Sequence, residues 1–235
     1  MRLGESPINN KRKKLYSMKI VAIVPIKLNN MRCPNKNTRV LGKGKPLCQY
    51  ILNTLLQVKQ IDEIYVYCSS EDIQKYLPQG VQYLKRSQDL DRDEVKMNEV
   101  LERFAKEVPA DVYVMTHATS PFVKPGSIET GIAKILEGKY DSAFAAKKVC
   151  DFFWKDGKPM NYQLDAIPRT QDLPPMWQET SGFYIYCREI MVEKKRRIGD
   201  NPFIVEVDEI ESIDIDEPID FEIASVIGDK FFYKN

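Results

Sequence analysis

Ile20-Val21-Ala22-Ile23-Val24-Pro25-Ile26-Lys27-Leu28-Asn29-Asn30-Met31-Arg32-Cys33-Pro34-Asn35-Lys36-Asn37 joins an unbroken apolar run to a loop rich in asparagine and cations. A half-exposed strand would alternate apolar and polar residues, so this run predicts a central parallel strand covered on both faces. Ligands of open α/β sheets bind beyond the carboxyl ends of such strands. Lys27, Arg32 and Lys36 therefore fall where a crevice is expected, and their charge suits a polyphosphate. Asn29, Asn30 and Asn37 add amide donors and tolerate tight turns. Neither a Walker-type phosphate loop nor a GxGxxG fingerprint is present, which removes the two commonest phosphate-binding motifs.

Working outward, Pro46 to Val58 has helical spacing and Ile64 to Cys68 reads as a second strand, completing a βαβ unit. A short helix at Asp72 to Tyr76, a strand at Val81 to Leu84 and a helix at Val95 to Val108 follow. Val112 to Met115 is a strand ending in the turn His117-Ala118-Thr119-Ser120-Pro121-Phe122, and Pro125 opens a helix reaching Leu136. Ser142 to Ala146, Gly182 to Cys187 and Phe203 to Val207 are further strands. Glu217 to Ile227 closes the chain as a helix with Asp216 as its expected N-cap. Between Val149 and Glu179 the rhythm breaks: Phe152, Phe153, Trp154 and Trp177 sit among prolines, too apolar for a linker. This insertion, about 149–180, is expected to pack on another subunit or cover a ligand. The fold class is α/β with a mostly parallel sheet.

The chain of 235 residues has a formal net charge of +1, which gives no general attraction to nucleic acid polymers or anionic membranes. Its cysteines, Cys33, Cys48, Cys68, Cys150 and Cys187, are odd in number and lack any CxxC pair, which argues for reduced thiols and a cytoplasmic location. Residues 1–17 carry Lys11-Arg12-Lys13-Lys14 without a following signal-type apolar run, and read as a disordered basic leader ahead of one domain, 18–235. No segment approaches the ~20 apolar residues that span a bilayer.

Two further groupings carry chemistry. In Ser212-Ile213-Asp214-Ile215-Asp216-Glu217-Pro218, the carboxylates of Asp214 and Asp216 alternate with isoleucines, so an extended segment would aim both to one side. Paired hard oxygens suit Mg²⁺, which completes its shell with water and substrate phosphates. A polar strand face is the plainer alternative. Arg169, in Pro168-Arg169-Thr170-Gln171-Asp172-Leu173-Pro174, carries a guanidinium matched to carboxylate or phosphate, although an isolated arginine is more often a surface residue. His117 lies just past a strand end, in the same expected crevice.

Taken together and in order, these residues resemble the acylneuraminate cytidylyltransferase family. Pro25, Lys27, Arg32, Pro34, Lys36 and Asn37 match its opening pattern, and Thr119-Ser120-Pro121 its turn after a central strand. Arg169, Gln171, Leu173 and Pro174 approximate its R-x-Q-x-L-P segment, Ser181 to Tyr186 its N-G-A-I-Y-I strand, and Ile213 to Asp216 its I-D-I-D. The resemblance implies a Rossmann-like three-layer nucleotidyltransferase fold and transfer of CMP from CTP to the anomeric hydroxyl of a 2-keto-3-deoxy sugar acid. A homodimer is implied too, with Mg²⁺ held by Asp214 and Asp216. By position, Lys27, Asn29, Asn30, Arg32, Lys36 and Asn37 inherit the triphosphate and Arg86 the region of the base. Lys27, Arg32 and Lys36 are thereby the catalytic cations. His117, Thr119, Ser120, Arg169 and Gln171 inherit the acidic acceptor.

The departures are specific. Lys27 replaces an arginine, Met31 a lysine, Asn29-Asn30 a Gly-Ser pair, His117 a glutamine and Thr180-Ser181 an asparagine. Two alternatives stay open at the level of sequence: a metal-dependent A-type glycosyltransferase, and a non-catalytic nucleotide-binding homologue.

Overall fold

The computed structural model describes residues 18–232; the basic leader expected over residues 1–17 lies outside them. All seven residues of β1 (Ile20–Ile26) are buried, as the unbroken apolar run requires. Val21 and Ile23 point to one face of the sheet, Ala22, Val24 and Ile26 to the other. Beside β1 lie β2 (Glu63–Cys68) and, beyond it, β3 (Val81–Lys85), all parallel. On the other side β1 pairs in parallel with β4 (Val112–Thr116). The sheet continues through β5 (Ser142–Val149), β8 (Met176–Cys187) and β9 (Pro202–Val207), giving the order β3-β2-β1-β4-β8-β5-β9. Only β8 runs against the others in this sheet, pairing antiparallel with β4 and β5. The expected α/β class with a mostly parallel sheet is what the chain forms.

Helices cover both faces, which makes three layers. α1 (Leu47–Leu55) and α3 (Pro125–Leu136) bury Ile51, Leu52, Ile128 and Ile132 against one face. α2 (Met97–Glu107) and α4 (Arg188–Lys194) bury Leu101, Phe104, Ile190 and Met191 against the other. Gly131 lets α3 approach β8 closely, because a Cβ there would stand 2.5 Å from Ile185 Cδ1. α5 (Pro218–Phe231) packs Phe221 and Ala224 on Leu41, Leu47 and Phe122 in a third, smaller cluster.

Several boundaries differ from the sequence reading for identifiable reasons. β8 begins at Met176, so Trp177, Gln178 and Glu179 belong to a strand arm paired with Lys148, Lys147 and Ala146, and the irregular stretch is correspondingly shorter. A bulge between Phe144 and Ala146 interrupts the alternation that would have shown this arm. Inside that stretch, β6 (Trp154–Lys155) and β7 (Lys158–Pro159) form a small hairpin. Residues Glu71–Tyr76 form a 3₁₀ helix rather than an α-helix. The N-cap of α5 is Glu217, not Asp216; Asp220 accepts from the backbone N–H of both, and the Asp216 side chain is drawn away to cations of the β1 loop.

Candidate active site

The chain runs from β1 outward to β2 and β3, then crosses back to β4 on the opposite side of β1. Connections diverge at this point of the sheet, so the carboxyl ends of β1 and β4 open a crevice between them. The loop 27–37 leaves β1 there, and the turn 117–120 leaves β4 beside it. A third segment, 208–217, arrives from β9 and is pinned to both.

The pinning is done by backbone and buried side chains. Ile215 donates its N–H to the Thr119 carbonyl at 2.9 Å and accepts Lys36 Nζ on its own carbonyl at 2.6 Å. The Lys36 side chain is only 9% exposed, and its ammonium also lies 3.4 Å from Asp216 Oδ1. Arg32 reaches Asp216 at 3.0 Å and Glu217 at 3.4 Å. Asn37 donates to the Lys27 carbonyl and to Asn30 Oδ1, folding the loop on itself, while its own carbonyl accepts from Cys48 at the start of α1. Asn35, with φ of +58°, takes the left-handed turn that the neighbouring asparagines were expected to supply. At the base of the segment, buried Glu211 accepts from the Lys124 N–H ahead of α3, and Lys124 Nζ pairs with Asp208.

The result is a recess of about 160 Å³ lined by Lys27, Asn29, Asn30, Arg32, Lys36 and Asp93. It matches phosphate groups rather than a whole nucleotide, since complete ligand pockets run to ~300–1,000 Å³. Lys27 is held by Asp93 at 2.8 Å. Asp214, two residues before Asp216, is half-buried, and its Oδ1 accepts no hydrogen bond among the described residues. Among the described residues, Thr116 Oγ1 at the end of β4 and Ser120 Oγ in the turn that follows are likewise buried without partners. Unpartnered buried oxygens in one crevice mark a place where a ligand, ion or water completes the set.

His117 sits among these groups. Burial pushes its imidazole down to about 4, opposed by the charge of Asp214 and aided by Arg197, with smaller effects of Asp216 and Lys36. The ring is therefore neutral near pH 7 and can accept as well as donate a hydrogen bond. Asp214 and Asp216 both bear electrostatically on His117, and the segment that carries them is a loop.

A match to the cytidylyltransferase family model extends over residues 21–222, from β1 into α5. The chain belongs to the cytidylyltransferase family. Among curated cytidylyltransferases it is 28% identical to the N-acylneuraminate cytidylyltransferase of Oncorhynchus mykiss, over 87% of this chain and 49% of that protein. It is 29% identical to the CMP-N,N'-diacetyllegionaminic acid synthase of Legionella pneumophila, over 88% of this chain and 95% of that protein. The chain spans about half the length of the fish relatives it matches. In shape it resembles a CMP:2-keto-3-deoxy-manno-octonic acid synthetase complexed with CTP, with a TM-score of 0.65 at 15% identity, covering 89% of this chain and 98% of that one. The 4-diphosphocytidyl-2C-methyl-D-erythritol synthase of Anaerococcus prevotii gives the same TM-score at 14% identity, covering 89% and 96%. These two likenesses speak to the fold.

Set against the motif matches, the chain gathers Lys27, Asn29, Asn30, Arg32 and Lys36 around the recess, with Asn37 bracing the loop, Asp216 on Arg32 and Lys36, the Thr119 carbonyl on Ile215, and His117 in the field of Asp214 and Asp216. Arg86 lies past the end of β3, buried and paired with Asp91. Arg169 and Gln171 are both exposed, and among the described residues no hydrogen bond or ion pair links either to the crevice. Arg169 is 72% exposed on a 3₁₀ turn, where both its Nε and Nη2 donate to Asp172, three residues on. Three residues went unseen in the sequence: Asp93, Glu217 and Arg197. Asp93 is hidden in an acidic run and Arg197 in the basic run 194–197, where composition reads as a solvated surface. Their distance in sequence from the residues they meet leaves no local signal.

Proposed function

We propose that the protein transfers CMP from CTP to the anomeric hydroxyl of a 2-keto-3-deoxy sugar acid and releases pyrophosphate. The observation that carries this reading is Lys36: one buried ammonium joins the β1 loop to Ile215 and Asp216, so phosphate-type cations and a carboxylate pair share a single crevice. Family membership and likeness to a relative that makes CMP-N,N'-diacetyllegionaminic acid support it over a glycosyltransferase or a non-catalytic homologue.

In this reading Lys27, Arg32 and Lys36 grip the triphosphate, exchanging Asp93, Asp216 and Glu217 for phosphate oxygens. The acceptor hydroxyl attacks the α-phosphorus, the bond to the β-phosphate breaks, and its electron pair leaves with pyrophosphate. Oriented cations stabilise the charge that builds on those oxygens, which is the main help a protein gives phosphoryl-type transfer. Neutral His117 offers the incoming hydroxyl an acceptor without adding a fixed charge. Thr119 and Ser120 shape the floor beside it.

Asp214 and Asp216 fit a hard divalent cation such as Mg²⁺. Asp214 Oδ1 is a buried oxygen without a donor among the described residues, and one or two carboxylates are the usual protein share of such a shell, substrate phosphates and water completing it. When bound, the ion would neutralise phosphate charge. The exposed apolar side chains of the insertion, among them Trp154, Leu164 and Ile167, support a homodimer through that stretch.

The test is pyrophosphate release from CTP, ATP, GTP and UTP with a panel of ulosonic acids. Release only with CTP and an acid is expected. No release with any acid, or equal release from UTP, overturns the proposal.

A further inference from the structure

A second, larger cavity of about 490 Å³ is lined by Lys96, Asn98, Glu179, Arg196, Arg197 and Gly199 among others, Lys96 lying three residues after Asp93 of the recess. Its volume falls in the ~300–1,000 Å³ range of small-molecule sites. Its charged lining is three cations against one carboxylate, in a protein whose overall charge is +1. The elements that build it explain its position. β8 runs antiparallel to β4, and Thr116 at the end of β4 faces Phe183, so the preceding arm carrying Glu179 projects past β4 toward His117.

Arg197 is the part of this lining that is both fixed and available. Its guanidinium lies over the Tyr184 ring, 4.0 Å from the centroid. Its Nη2 donates to Tyr184 Oη at 3.3 Å and stands 3.7 Å from Glu179 Oε1, while Tyr184 Oη donates to the same carboxylate oxygen at 2.5 Å. Neither Nε nor Nη1 makes a hydrogen bond among the described residues, and the side chain is 27% exposed, on the wall of the cavity. A stacked guanidinium with two free donors is pre-organised for a planar carboxylate. The Arg197 charge also bears on His117, the first residue after β4.

We propose that this cavity seats the acceptor and that Arg197 binds its carboxylate, making Arg197 the residue that selects an acid over a neutral sugar. The inference rests on the transferase reading above and moves the anion contact from Arg169, which is spent on Asp172, to Arg197. Glu179 lies beside Arg197 as an acceptor for the sugar's hydroxyl or amide donors.

The test compares N-acetylneuraminate, N,N'-diacetyllegionaminate and 2-keto-3-deoxyoctonate with their methyl esters, in wild type and in Arg197→Gln and Arg197→Lys. For the acid that wild type uses best, Arg197→Gln should raise the acceptor KM roughly ten- to a hundredfold, the worth of one charge-assisted contact. It should abolish the preference for acid over ester while leaving the KM for CTP unchanged, and Arg197→Lys should restore part of the preference. A residue that merely supported the fold would raise both KM values and leave the acid-to-ester ratio intact. An intact ratio in Arg197→Gln, with normal CTP binding as proof of folding, overturns the assignment. Wild type that turns over none of the acids defeats the transferase reading itself, and this inference with it.

Discussion

The crevice at the ends of β1 and β4 and the insertion between β5 and β8 are built in opposite ways. In the crevice, segments far apart in sequence are cross-linked by polar contacts, buried at Lys36 to Ile215 and more exposed at Arg32 to Asp216, with Ile215 tied by backbone to Thr119. In the insertion, contacts stay local. Phe152 and Trp154 pack edge-on against Tyr162, Asn161 ties back to Asp151 and Phe153, and Arg169 pairs with Asp172. Trp154, Met160, Leu164 and Ile167 remain exposed. One region spends its side chains on its own fold and charge balance; the other leaves apolar surface for something outside it. Substitutions in the two should therefore separate cleanly into effects on chemistry and effects on association.

The sharpest break in that contrast comes from Lys36. Lys36→Ala removes an oriented cation and the donor that holds Ile215, and should lower the rate of CTP-dependent pyrophosphate release about 10²–10³-fold, the ~2.7–4 kcal/mol measured for single oriented donors. The β1 strand and the sheet need nothing from the ammonium, so far-ultraviolet circular dichroism should be unchanged. Retained turnover would mean that the loop grips no phosphate. Asp214→Asn comes next. Adding Mg²⁺ with CTP should raise the melting temperature of wild type by mass action. The same addition should do little for Asp214→Asn, because an amide cannot replace a hard anionic ligand. An equal rise in both proteins would place the ion elsewhere.

How far the sequence itself foretold this contrast depends on whether each cause was local. β1 was legible because burial on both faces leaves no room for alternation, and the loop because Lys27, Arg32 and Lys36 fall within ten residues of one strand end. Asp216 was misread as the helix cap because two acidic residues precede Pro218, and only Arg32 and Lys36, 184 and 180 residues away, decide which one caps. Asp93 and Arg197 were invisible for the same reason. Arg169 shows the converse: a motif match with the right neighbours in sequence, whose guanidinium is taken by the nearest carboxylate.

For the insertion, the expectation is reversed. Ile167→Asp, at a position 63% exposed, should change the free energy of unfolding in urea by no more than ~0.5 kcal/mol, as surface substitutions do. It should nevertheless shift the mass seen by light scattering from dimer to monomer. A strongly destabilised chain of unchanged mass would show that this surface serves the fold of its own subunit.

The smallest effect belongs to Arg169→Ala. Its ion pair with Asp172 spans one turn and lies in solvent, where such pairs contribute little, so stability should stay close to that of wild type. The acceptor KM should stay close to wild type while Arg197→Gln raises it, because the free guanidinium donors lie on the cavity wall and not on the turn. The motif match argues the other way, and the two variants measured side by side choose between them. A large rise in KM for Arg169→Ala would mean that the ion pair with Asp172 opens and the insertion folds over the acceptor. The division between a self-contained crevice and an outward-facing insertion would then fail at the point where substrate binds.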